Sequence, residues 1–147
     1  MVASIDVQRD LQGRARVHSH SGAAIPEPDP VQWAQELVEQ GAGEVLVQSV
    51  DREGTQSGFD LELLRSFHGR LARPLIMGGG AGSVLDMKEA LRACRMSALS
   101  IGARFVFYGP LRAVLVTYLE PNEIAELAAV AKDSVVPLAR SITSQIR

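Results

Sequence analysis

Three features of this sequence carry side chains or turns that could do chemistry. They are an aspartate closing an apolar run, a glycine run ahead of a capped helix, and an acidic loop bearing two glycines. In "VASIDV" the aspartate is Asp6. A carboxylate at the end of an apolar strand is costly unless it is solvated, paired or used, so Asp6 is a candidate general acid/base; the alternative is a strand-end acid bonded to backbone amides. In "IMGGGAGSVLDMKEAL", residues 76–91, a strand runs into small residues and then into a Ser83-x-x-Asp86 capping box. Main-chain N–H groups at the positive end of a helix dipole, with no side chains to hold an anion away, form a candidate phosphate cradle. The competing explanation is a tight turn whose glycines allow close packing. The Gly-x-x-x-x-Gly-Lys spacing of a nucleoside triphosphate loop is missing.

"SALSIGARF", residues 97–105, repeats the small-residue theme, placing Ser100, Gly102 and Ala103 where a second turn could share the same anion. In "SVDREGTQSGFDLELLRSF", residues 49–67, Asp51 and Glu53 flank Arg52, and each can pair with it or cap a turn. Gly54 and Gly58 let that loop fold back and bring amides toward a ligand. "HSH", residues 18–20, sets two imidazoles on one side of an extended segment, but no third ligand is spaced to join them, so no metal site is expected. His68 is read as interfacial and Trp33 as packing.

The elements that must position these residues follow from the pattern. Val2–Ile5, Glu44–Val50, Pro74–Met77 and Ala98–Ile101 read as short strands, rich in Val, Ile or Leu, closed by small or polar residues and not alternating, as suits parallel strands covered on both faces. The first helix is marked by Asp29 as N-cap, Pro30 at its first position, Gln32 three residues past the cap and Gly41 beyond its end. A second runs from about Asp60 to Leu71, a third starts at Ser83, and a last begins near Pro121 and ends before Pro137. The order is β, long loop, α, β, α, β, α, β, long loop, α. Four βα units suit either a small flavodoxin-like sheet or half of an eight-stranded (βα)8 TIM-type barrel. Asp6, Ser49 with Asp51, Gly78 to Gly80, and Ser100 with Gly102 all fall at strand C-termini, which favours the half-barrel.

The 147 residues suit one domain with a single core at 46% hydrophobic content, plus a helical extension over about 121–147. Fifteen basic against seventeen acidic residues give a charge of −2 without like-charge runs, which argues against nucleic acid and an anionic membrane and favours a small-molecule ligand. Cys94 is the sole cysteine, which excludes an internal disulfide and points to a reducing, cytoplasmic setting. Neither a secretory h-region nor a membrane-spanning apolar stretch is evident.

"VASIDV", "DPVQWAQELVEQGAGEVLVQSVDREGTQSGFDLELL" and "GGGAGS" resemble the C-terminal half of the HisF family, the cyclase subunit of imidazole glycerol phosphate synthase in histidine biosynthesis. The resemblance covers about residues 2 to 105. The tail "FVFYGPLRAVLVTYLEPNEI" resembles a paralogous branch linked to acetamidino modification of surface sugars. The family is a (βα)8 barrel of two similar halves that uses ammonia from a glutaminase partner. It is a lyase/cyclase, converting a bis-phosphorylated ribulosyl-formimino aminoimidazole carboxamide ribotide to imidazole glycerol phosphate and aminoimidazole carboxamide ribotide, with one acid/base aspartate per half. The resemblance implies Asp6 as the catalytic residue. It also implies Gly54, Gly79, Gly80 and the Ser100–Ala103 turn, with Gly102, as one of two phosphate sites. Ser49, Asp51 and Gly54 would line the barrel mouth, and no cofactor is implied.

This sequence departs from the family pattern with Glu53 for Asp, Gln48 for Thr or Asn, Gly78 where Ser is frequent, and Ala103 for Ser. The family's N-terminal half does not precede Met1, which leads to the expectation of a truncated or internally initiated reading frame, inactive without a second half-barrel and prone to self-association. The rival expectation is a non-catalytic phosphate-binding half-barrel or scaffold.

Overall fold

The computed structural model describes residues 1–19, 23–24, 29–109 and 111–133. Its elements in chain order are β1 (Val2–Arg9), β2 (Ala15–Ser19), β3 (Ala23–Ala24), α1 (Pro30–Glu39), β4 (Glu44–Ser49), α2 (Leu61–Ser66), β5 (Leu75–Gly78), α3 (Val84–Ala93), β6 (Ala98–Ser100), α4 (Ala103–Val106), β7 (Phe107–Tyr108), β8 (Ala113–Val114) and α5 (Pro121–Asp133). The main sheet has the order β3-β2-β1-β4-β5-β6, with β1, β4, β5 and β6 mutually parallel. Sequential parallel strands lying side by side without reversal are barrel order. A flavodoxin-like sheet would place a later strand on the far side of the first, so that alternative is set aside.

Period-two alternation divides the sheet into two faces. Ile5 and Val7 of β1, Val45 and Val47 of β4, and Leu75 and Met77 of β5 are buried together with Val31 and Ala34 of α1, Leu63 and Leu64 of α2, and Met87 and Ala90 of α3. This layer is the core. On the other face Val2, Ser4, Asp6, Ala98 and Ser100 are exposed, while Leu46, Gln48 and Ile76 are half-buried. The strands therefore alternate in exposure, contrary to the expectation of cover on both faces; only the helix side is covered in this half-barrel.

The caps behave as their chemistry requires. Asp29 accepts from the amides of Val31 (2.9 Å) and Gln32 (3.3 Å), with Pro30 opening α1. Ser83 and Asp86 form the expected reciprocal box: the Asp86 amide donates to Ser83 Oγ at 3.2 Å, and the Asp86 carboxylate accepts from Ser83 N at 2.8 Å. Three expectations need correction. The long loop after the first strand contains a hairpin, because β1 continues to Arg9 and β2 returns antiparallel to it. The second helix is only Leu61–Ser66, its end tightening into successive turns at Phe67, His68 and Arg70. The last loop carries α4 and the β7–β8 ribbon. The α5 helix lies against α3, with Lys88 bonded to Glu126 at 2.5 Å. Pro137 and the extension past 133 fall outside the described residues.

Arg9 fixes the top of this layer. Its guanidinium meets Asp60 through two bonds (3.0 and 2.9 Å), Glu62 at 3.0 Å and the Gly13 carbonyl at 2.7 Å. Asp60 simultaneously caps α2, accepting from Leu63 N at 3.0 Å. Burial by itself would raise the Asp60 carboxyl, but the Arg9 hydrogen bonds, the Leu63 amide and the nearby charges outweigh it and hold the group below its ordinary value. A carboxyl lowered on folding stabilises the native state above its unfolded pKa of about 3.9, and that contribution fades as pH falls through the folded value. Asp60→Asn should therefore cost roughly 2 kcal/mol at pH 7, and its melting-temperature difference from the parent should shrink as pH falls below the unfolded value of about 3.9. A constant difference from pH 7 to pH 2.5 in thermal melts would contradict this coupling.

Candidate functional site

The parallel ladders fix which residues share a level. Asp6 is registered with Gln48, Gln48 with Gly78, and Gly78 with Ser100, while on the hairpin side Asp6 faces His18. One row across the open face thus reads His18, Asp6, Gln48, Gly78, Ser100, next to the C-terminal ends of the parallel strands. The sequence-predicted Asp6 and Ser100 are brought onto one surface. His20 lies outside the described residues.

Ser49 is one residue out of phase with this row. It is 2% exposed, on the helix side with Val45 and Val47, and its carbonyl accepts from Arg52 N (3.2 Å) and Glu53 N (3.0 Å). It turns the loop and does not line the mouth, which corrects its expected place. Asp51 does not pair with Arg52. It accepts from the Arg9 amide at 2.7 Å, joining the end of β1 to the β4–α2 loop. Arg52 instead donates to Ser57, to its carbonyl at 3.3 Å and its hydroxyl at 3.2 Å.

The cradle is made by two loops pressed together. Gly58 N donates to Gly80 O at 2.8 Å, and Gly79 (φ +97°) and Gly80 (φ +101°) take conformations that favour glycine. A Cβ on Gly80 would overlap the Gly58 carbonyl. Gly54, Gly79, Gly80, Ser100, Gly102 and Ala103 line one small cavity with Glu53, Gln56, Ala81 and Ile101, so the expected phosphate residues do converge. Its volume is about 10 Å³. Larger depressions of about 310, 560 and 390 Å³ lie below β5, beside the β1–β2 hairpin and outside the β4–α2 loop, and none includes Asp6, Gly54, Gly79, Gly80 or Gly102. Asp86 takes the amides of Gly82 (3.0 Å) and Ser83 (2.8 Å), so those two donors ahead of α3 are already spent.

Gln48 and Gly78 are sterically linked. The Gln48 amide lies over Gly78, where a side chain would collide with it, and donates to the Glu53 carboxylate. Gln56 escaped the sequence reading; its position between two glycines in "GTQSG" was the available signal. It reaches Ala103 O at 2.9 Å and Phe107 O at 3.3 Å.

A four-strand parallel half-barrel, with a carboxylate on its open face and a glycine-walled cradle at the end of the same row, defines an α/β protein of the TIM-barrel type. Residues 1–111 match the family described as Histidine biosynthesis protein, and the chain belongs to that family. A Pseudomonas aeruginosa protein provisionally named imidazole glycerol phosphate synthase subunit hisF2 is 38% identical over 124 residues, 84% of this chain and 49% of that one. The imidazole glycerol phosphate synthase subunit HisF of Myxococcus xanthus is 45% identical over 92 residues, 63% of this chain and 36% of its own. The corresponding Leifsonia xyli subunit is 43% identical over 95 residues, again 63% of this chain and 37% of its own. The chain spans about half the length, or less, of these relatives. Among the described residues no helix is long and apolar enough to cross a membrane.

The two glycines should respond differently to an added methyl. Gly80→Ala meets a fixed carbonyl at a positive φ and should cost more than about 1 kcal/mol, whereas Gly78→Ala displaces only the movable end of Gln48 and should cost less. Gly78→Ala in a Gln48→Ala background should be close to neutral. Equal losses at both positions in urea melts, or no relief in the double variant, would contradict this packing.

Proposed function

We propose that the chain is the C-terminal half of a HisF-type cyclase barrel, acting on a bis-phosphorylated aminoimidazole ribotide of histidine biosynthesis or on the substrate of its sugar-modifying paralogue. The observation that carries this reading is the single row holding Asp6 and Ser100 on the open face, with the glycine cradle at its end. Asp6 acts as one acid/base. The second carboxylate comes from another half-barrel seated on the open face, since among the described residues that row holds no other acid. Gly54, Gly79, Gly80, Ser100, Gly102 and Ala103 bind one phosphate through main-chain donors. Ammonia arrives from a glutaminase subunit, no cofactor takes part, and the setting is cytoplasmic.

Cyclisation needs proton transfers at both ends of the reacting imine. Mixing this chain with an N-terminal half from the family should give ammonia-dependent turnover. Asp6→Asn keeps size and hydrogen bonding but cannot exchange the proton, so the rate should fall by about 10²–10⁴ with folding intact. Asp51→Asn should cost far less, because among the described residues Asp51 holds only the Arg9 amide. Full activity in Asp6→Asn would remove the catalytic reading and leave a phosphate-binding half-barrel, which the lack of a second acid on the row would then explain.

A further inference from the structure

Among the described residues only two that are not glycine take a positive φ: Gln56 (+56°) and Arg112 (+52°). Such conformations cost free energy and persist where surrounding contacts hold them. Both residues span the same gap from opposite sides. Gln56 reaches from the β4–α2 loop to the carbonyls of Ala103 and Phe107, while Arg112 reaches from the ribbon to the Gly54 carbonyl at 2.7 Å. The Arg112 guanidinium is also stacked 4.5 Å from the centroid of the Phe107 ring.

Beneath these contacts lies the cradle. Its one charged lining side chain is Glu53, and its space of about 10 Å³ is close to what a single water molecule occupies. A phosphate entering it must displace a wall and tolerate a carboxylate. The cation at that wall is Arg112, which is exposed and, among the described residues, spends its planar fork of five donors on one hydrogen bond, to Gly54. It lies one residue beyond the span that the family match covers.

We propose that Arg112 is a phosphate-binding residue of this cradle, exchanging the Gly54 carbonyl for a phosphate oxygen when the ligand enters, and that Gln56 opposes that entry by holding the two loops together. The inference rests on the phosphate reading given above. The exchange replaces a guanidinium bond to a neutral carbonyl with one to an anion, which is shorter and stronger, and it frees the Gly54 peptide to turn toward the ligand. No covalent step is involved.

The test is a titration of inorganic phosphate into the full chain, read from the backbone amide shifts of Gly79, Gly80 and Gly102. Arg112→Gln should weaken binding by roughly tenfold or more. Arg112→Lys, which keeps charge but not the fork, should fall between Arg112→Gln and the parent. Gln56→Ala removes the bonds that hold the two loops together and should bind more tightly than the parent. Thermal melts of each variant establish that it is folded. Arg112→Gln binding as well as the parent would overturn the proposal and leave Arg112 a latch on the loop. If the parent itself shows no shifts, the phosphate reading fails first and this inference falls with it, an outcome separate from parental binding that ignores Arg112.

Discussion

Parallel register between β1 and β4 is the constraint on which the molecule depends. Asp6 is opposite Gln48 and Val7 opposite Ser49, so side chains of one parity enter the helix layer and those of the other face outward. A slip of one residue would drive the Asp6 carboxylate into the layer that holds Val45, Val47 and Met77, and would expose Ile5 and Val7 in its place. Neither side of that exchange is tolerable. The apolar demand for burial therefore specifies where the acid stands.

The loops inherit this register. Ser49, buried at the end of β4, offers its carbonyl to the amides of Arg52 and Glu53 and so starts the turn that carries Gly54 to Gly58 across to β5. There the loop meets Gly79 and Gly80, and the backbones approach so closely that side chains are excluded at Gly80 and, by Gln56, at Gly82. Asp51 and Arg9 tie the same loop back to β1. A cradle built from backbone contact needs no side-chain charge to take its shape, at the expense of having little room of its own.

Much of this was legible in the sequence because the signals were local. The Asp29–Pro30 and Ser83–Asp86 caps, the four strand runs and the glycines at strand ends each depend on neighbours within a few residues. The hairpin was missed because "QGRARVH" is short and its alternation, with Val17 inward, is brief; only pairing against an extended β1 makes it a strand. Ser49 was misplaced because composition places it at a strand end, while parity, which needs the true register, turns it inward. Asp51 was read against its neighbour Arg52, whereas its partner is 42 residues away. Gln56 and Arg112 carried no sequence signal of positive φ, since only long-range contacts hold them there.

Three of the four departures from the family pattern, at Gln48, Gly78 and Glu53, form one connected set. Gln48 is longer than the Thr or Asn expected there, and its amide occupies the space over residue 78, so a serine at that position would push the end of Gln48 aside. Gly78 is the residue that lets Gln48 lie flat. Glu53, one methylene longer than aspartate, then meets that amide, and its other oxygen stands 3.9 Å from where a Cβ on Gly102 would be. The floor between Asp6 and the cradle is thus an amide–carboxylate pair. Carboxylate oxygens accept and cannot donate when ionised, so a ligand spanning Asp6 and the cradle has to present donors where it crosses Glu53. A ligand with only acceptors at that point would desolvate a charge without pairing it, which costs more than any single hydrogen bond returns. Gln48, Gly78 and Glu53, on β4, β5 and the intervening loop, are thus coupled, and substituting one of them alone disturbs the other two.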